Sequence, residues 1–143
     1  MANVRKSAVT LRIMGEDLIP DEITNLLGVT ATRAQTKGAK IHGTKTGYVR
    51  IAKFGLWLLS ASDREPEDMD GQIREILSQA TSDLDIWRGI AERYNMDLFC
   101  SLFLGGGNEG MMLSPQSLIA LGYRGVELGL DIYCADDNSK TST

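Results

Sequence analysis

The stretch that most constrains this chain is residues 96–104, "MDLFCSLFL". In an extended backbone Leu98, Cys100, Leu102 and Leu104 fall on one side, Phe99 and Phe103 on the other. A strand that is apolar on both sides belongs in the interior of a sheet, with a neighbour on either hand. The rest of the chain must supply those neighbours and a layer to cover them.

The neighbours are readable. In "SAVTLRIM", Val9, Leu11 and Ile13 alternate with Thr10 and Arg12, the pattern of a half-buried strand that Gly15 ends. "IPDEITNLLG" reads as a short helix: Pro20 suits its first position, Asp21 and Glu22 suit the positive end of its dipole, and Gly28 closes it. A strand is expected near residues 31–36, then a loop over 42–47. "YVRIAKFGLWLLSAS" reads as one long β segment whose Trp57 is expected in the core, with the lining of a groove as the alternative, and Gly55 inside it marks a bulge or a close backbone approach. Met69, Ile73, Ile76, Leu77 and Ala80 stripe one helix; Leu84, Trp87, Ala91 and Tyr94 stripe a second, recapped at 81–83. Ser114 and Pro115 start a third, ending at Leu121-Gly122. "VELGLDIYC" is the last strand, with Val126, Leu128, Leu130, Ile132 and Cys134 on its buried side.

The order β-α-β-β-α-α-β-α-β predicts an α+β two-layer sandwich: a mostly antiparallel sheet of about five strands with helices largely on one face. The expected domain spans 1–135, with 136–143 a disordered polar tail. At 143 residues the chain fits one core. Its net charge of −4 weighs against nucleic-acid binding, and no apolar run approaches a membrane span. Two cysteines, Cys100 and Cys134, both among apolar neighbours, are expected buried and reduced, which points to the cytoplasm.

Candidate chemistry is sparse. Gly105, Gly107 and Gly110 fit the dinucleotide spacing G-x-G-x-x-G, but Met111, Met112 and Leu113 separate them from a helix that Ser114 caps afresh. The expected outcome is a bland loop, with no cofactor. The lone histidine, His42, has no sequence sign of a positioned partner, and Cys100, Cys134 and His42 lack metal-ligand spacing. No catalytic residue and no metal site are assigned. Glu65, Glu67, Asp68 and Asp70 precede a helix, where its dipole accounts for them. Leu18, Pro20, Ile23 and Leu26 share their spacing with Leu113, Pro115, Leu118 and Leu121, which reads as two helices each started by proline.

Charge is segregated. From Ile23 to Ser62 there is no acid, while Arg33, Lys37, Lys40, Lys45, Arg50 and Lys53 fall in that span. This is either a positive patch for an acidic partner or lysine protection of a sheet edge. Candidate binding residues are therefore Arg33, Lys37, Lys40, His42, Lys45 and, from the glycine loop, Asn108. The leading expectation is a non-enzymatic interaction module that meets a protein with an acidic surface, with a homodimer as a further candidate. The alternative is a small-anion-binding, small-ligand-binding or catalytic domain built on the basic span and the Gly105–Gly110 loop. A deep pocket converging on Lys37, His42 and Asn108 would favour a ligand, a flat surface a partner.

The succession Leu11…Gly15, Leu18-Ile19-Pro20-Asp21-Glu22-Ile23…Leu27-Gly28, Lys37-Gly38, Trp57-Leu58-Leu59-Ser60, Leu113-Ser114-Pro115 and Leu130-Asp131-Ile132-Tyr133 resembles the bacterial domain of unknown function family 4279. The likeness runs from about Ser7 to Cys134. Its marks are structural, so the resemblance implies no activity and transfers no catalytic residue. It implies at most an immunity-type partner of a toxin.

Overall fold

In the computed structural model, residues 3–43 and 47–135 are described. Lys6–Gly15 (β1) is the strand around which the others are arranged. Its alternate residues Ser7, Val9, Leu11 and Ile13 are buried. Helix α1 (Pro20–Leu27) follows, with proline in its first turn and Gly28 closing it at φ 75°. Such a left-handed φ is open to glycine without strain. Three short strands come next: β2 (Arg33–Gln35), β3 (Lys40–His42) and β4 (Val49–Ile51). Then come β5 (Gly55–Ser60), α2 (Met69–Gln79), α3 (Leu84–Arg93), β6 (Asn95–Phe103), α4 (Pro115–Arg124) and β7 (Glu127–Tyr133).

The main sheet has the order β2-β5-β1-β6-β7, and β3 and β4 form a separate pair. All pairings are antiparallel except β6 with β7. The fold is thus α+β, with the helices on one face. Strand β6, the doubly apolar segment, lies between β1 and β7 as its composition requires. Met96, Leu98, Cys100 and Leu102 are buried under the helices, while Phe99 and Phe103 are half-buried on the uncovered face. There the Arg12 guanidinium lies 4.3 Å from the Phe99 ring centroid and donates two hydrogen bonds to Asp97, at 2.8 and 2.7 Å.

The core gathers Leu11, Ile13, Ile23, Trp57, Ile73, Ile76, Trp87 and Leu98. Both tryptophans are fully buried with their N–H groups satisfied. Trp57 donates to Thr24 Oγ1 at 3.0 Å and Trp87 to the Thr81 carbonyl at 2.7 Å. Ser7 and Gln72, also buried, bind each other at 2.6 Å and fasten α2 to β1.

Three expectations need correction. The segment 48–62 is not one strand. Ala52 is buried and bonded across to the other arm, its N–H to the Ala39 carbonyl and its carbonyl to the Gly38 N–H. This tie closes β3–β4 as a hairpin and ends β4 before β5 begins. Gly55 is a close approach: a Cβ there would overlap the Leu18 carbonyl oxygen. Helix α4 passes through Gly122 and stops at Gly125, which takes φ 73° and receives the Schellman-type closure. Finally, Cys134 is exposed, as are Leu130 and Ile132, because β7 is an edge strand and a groove lies between its later residues and α4. Only Val126 at its start is buried. Both cysteines are free thiols, and burial, with Asp97 nearby, pushes that of Cys100 up to about 12. The tail 136–143 lies outside the described residues.

Candidate functional site

The residues singled out by charge collect at one end of the sheet. Arg33 is on β2, the edge strand; Lys40 and His42 are on β3; Arg50 is on β4; Lys53 follows it. All are exposed. Lys45 lies outside the described residues. Lys37 is already occupied: its ammonium pairs with Glu16 at the end of β1, which raises the lysine pKa and lowers that of the carboxylate. Among the described residues, Arg33, Lys40, Arg50 and Lys53 make no ion pair.

The hairpin adds apolar groups that the sequence pattern did not single out. Tyr48, Val49, Ile51 and Phe54 are all exposed beside these cations. The pairing sets Lys40 opposite Ile51, Ile41 opposite Arg50 and His42 opposite Val49. Two strands alone are marginal in water. Here the base is held by the Gly38–Ala52 and Ala39–Ala52 bonds, and the far end by the Gly43 N–H on the Tyr48 carbonyl at 2.6 Å. The result is an arm with basic and apolar groups side by side.

Asn108 belongs elsewhere. It is exposed in the glycine loop after β6, on the far side of β1 from β2 and its hairpin. The loop is tied by its own groups: Glu109 accepts from the Gly105 N–H at 2.6 Å, and the Gly110 carbonyl accepts from Val4 at 3.3 Å. Gly105 and Gly107 do not take positive φ, and a Cβ at Gly107 would meet nothing. The helix that follows is capped by Ser114, whose hydroxyl accepts from the Ser117 N–H at 3.1 Å. Its first turn therefore begins beyond Met111–Leu113 and not within the glycine run. Lys37, His42 and Asn108 line no common pocket among the described residues.

One concavity of the surface is apolar. A groove of about 560 Å³ beside the glycine loop is lined by Val4, Leu104, Met111, Leu113, Leu118, Leu130 and Ile132, with Glu109 at its rim. A second, of about 430 Å³, separates α2 from α4. Near it Asp70, expected to serve only its own helix, reaches across to α4. One of its oxygens accepts from Ser117 Oγ at 2.6 Å and from the Ser114 N–H and Oγ at 3.1 and 3.2 Å. Burial alone would raise this carboxyl; the serine hydrogen bonds and Arg74 together hold it below its ordinary value.

The family model for Domain of unknown function (DUF4279) matches residues 4–135, nearly the whole chain. The chain belongs to the DUF4279 family. The matched span takes in every strand and helix described above. No curated protein and no solved structure matches the chain. Among the described residues, no three His, Cys, Asp or Glu side chains gather as metal ligands, and no helix is long and apolar enough to cross a membrane.

Proposed function

We propose that this domain is a non-enzymatic interaction module that meets an acidic protein surface through the β3–β4 arm. The observation that carries this reading is the arm's composition. Lys40, Arg50 and Lys53 stand beside exposed Tyr48, Ile51 and Phe54, with Arg33 on the edge strand that precedes the arm. Protein interfaces favour arginine and aromatic groups, and basic groups around apolar anchors steer an acidic partner while the anchors supply the buried area. Cys100 and Asp70, which could be taken for reactive groups, have structural uses: one is sealed in the core and the other holds α4. The setting this reading favours is that of an immunity-type protein that binds and blocks its partner.

The test is charge reversal of the two cations on the arm itself, Lys40→Glu with Arg50→Glu. A partner captured by the native chain should associate severalfold more slowly with the double variant, with a flatter salt dependence. Unchanged association at two salt concentrations would remove the arm from the binding surface. Lys37 is the wrong choice for such a test, since a glutamate there would meet Glu16.

A further inference from the structure

Strand β7 ends the sheet with seven residues in unbroken register against Asp97–Phe103. It contains no lysine, arginine or proline, the usual guards of an edge. Its outward backbone groups can be assigned. The Tyr133 carbonyl accepts from the Leu104 N–H at 3.0 Å, so it faces β6. Alternation then turns Asp131, Gly129 and Glu127 the same way, and Leu128, Leu130 and Ile132 toward the open edge. On the helical side, Leu130 and Ile132 share their groove with Leu118, and Ile119 and Tyr123 continue the strip along α4. These five side chains are between 51% and 57% exposed.

We propose that this edge seats a second copy of the chain, β7 against β7 and antiparallel, across a twofold axis at Leu130. The strand is its own complement there. Glu127–Tyr133 is symmetric about Leu130, so all seven residues pair. Leu130 meets Leu130 of the second copy, Leu128 meets Ile132, Gly129 meets Asp131 and Glu127 meets Tyr133. The outward groups of Leu128, Leu130 and Ile132 then bond in pairs, and no acid faces an acid. A shift of the axis to Asp131 would oppose two aspartates, and a shift to Gly129 would oppose Glu127 and Asp131. Like charges directly opposite are destabilising, so charge disfavours both neighbouring registers, and larger shifts pair fewer of the seven residues. The axis is normal to the sheet, which keeps all helices on one face and brings the two α4 strips to the seam. Half the surface of five large apolar side chains is on the order of 500 Å² per copy, and the paired backbone brings a dimer to the roughly 1,200 Å² at which specific interfaces begin. The contact is isologous, closing at two copies with ten strands.

Sedimentation velocity of the full chain under reducing conditions tests this, the reductant excluding disulfides through exposed Cys134. The native chain should sediment at twice 15.6 kDa at tens of micromolar. Leu130→Lys places two like charges on the axis and should raise the dissociation constant about tenfold or more. Gly129 provides the register-specific pair, since its Cβ would come no nearer than 3.8 Å to Phe99. Gly129→Lys faces Asp131 of the second copy and should tighten the dimer; Gly129→Glu should loosen it. A native chain that stays monomeric at 100 μM overturns the proposal. So does a dimer indifferent to both Gly129 variants, or one that ranks them in the opposite order. Should Leu130→Lys fail to fold, the Gly129 pair still decides.

Discussion

The two strands that end the main sheet differ in length, charge and cover. β2 has three residues, carries Arg33, and leads into the Lys37–Glu16 pair and the basic arm. β7 has seven residues and carries Leu130 and Ile132 half-exposed on the side where the helices lie. Edges are protected by shortness and positive charge, and β2 has both. β7 has neither. An acid-free stretch between Ile23 and Ser62 thus does two things at once: it blunts one edge and makes the arm beside it basic. The opposite edge is left without either protection.

The comparison breaks most sharply at two glycines. Gly55→Ala, at the start of the strand that carries β2, forces a Cβ into the Leu18 carbonyl and should cost about 3 kcal/mol or more in denaturant unfolding. Gly129→Ala on β7 meets ordinary contacts only and should change stability by about 0.5 kcal/mol. Equal losses would mean that the two edges are equally tightly built.

Next in size is Asp70→Ala. It removes three hydrogen bonds to a carboxylate that fix the start of α4, a loss of about 2 kcal/mol. Amide exchange should speed up in α4 and β7 while β2 and β5 hold. Uniform acceleration would show that the β7 side has no separate latch.

Acid should then sharpen the same contrast. Asp70 is held below its ordinary value although burial opposes this, by Ser117, Ser114 and Arg74; Glu75 is held below its own, first by Arg64 and then by Ser62. A carboxyl depressed in the folded state stabilises the fold fully above its unfolded pKa, about 4, and loses that contribution as pH falls through the lower folded value. Melting temperatures should therefore drop below pH 4, and the slope should lessen in Asp70→Asn. An unaltered slope would assign the acid sensitivity to the other depressed carboxylates, Glu75 and Glu16. The smallest effect belongs to the arm: Lys40→Glu with Arg50→Glu should leave stability within about 0.5 kcal/mol, since both residues are exposed.

Much of the frame was legible. Strand β6 announced its interior place by being apolar on both sides, and the starts of α1 and α4 were marked by Pro20 and by Ser114-Pro115. What pattern could not tell was which apolar face is covered. The alternation in β7 reads the same whether or not a helix overlies it, so Leu130, Ile132 and Cys134 were assigned to the core and are exposed. The matched spacing in α1 and α4 illustrates the same limit. Ile23 is buried and its counterpart Leu118 exposed; Leu26 is exposed and its counterpart Leu121 buried. Equal spacing started two helices and rotated different stripes inward. The arm was missed for another reason. β-propensity ran without a break from Tyr48 to Ser60, and only the long-range bonds at Ala52 divide it. The same unbroken β pattern carries no sign that Tyr48, Ile51 and Phe54 are exposed. The basic residues were found by charge alone, but not that Lys37 was spoken for by Glu16.

The place of β1 carries a consequence for the order of events in folding. It precedes the other strands of the sheet in sequence yet lies in its middle, and neither neighbour is close in sequence. Thr10 meets Ser60 across 50 intervening steps of chain, and Arg12 meets Asp97 across 85. Each pairing must close a long loop before it gains a contact, and the parallel β6–β7 pairing comes after both. A chain emerging from a ribosome therefore holds β1 unpaired until β5 appears and half-paired until β6 does. Such non-local topology places refolding in roughly the millisecond-to-second range rather than microseconds.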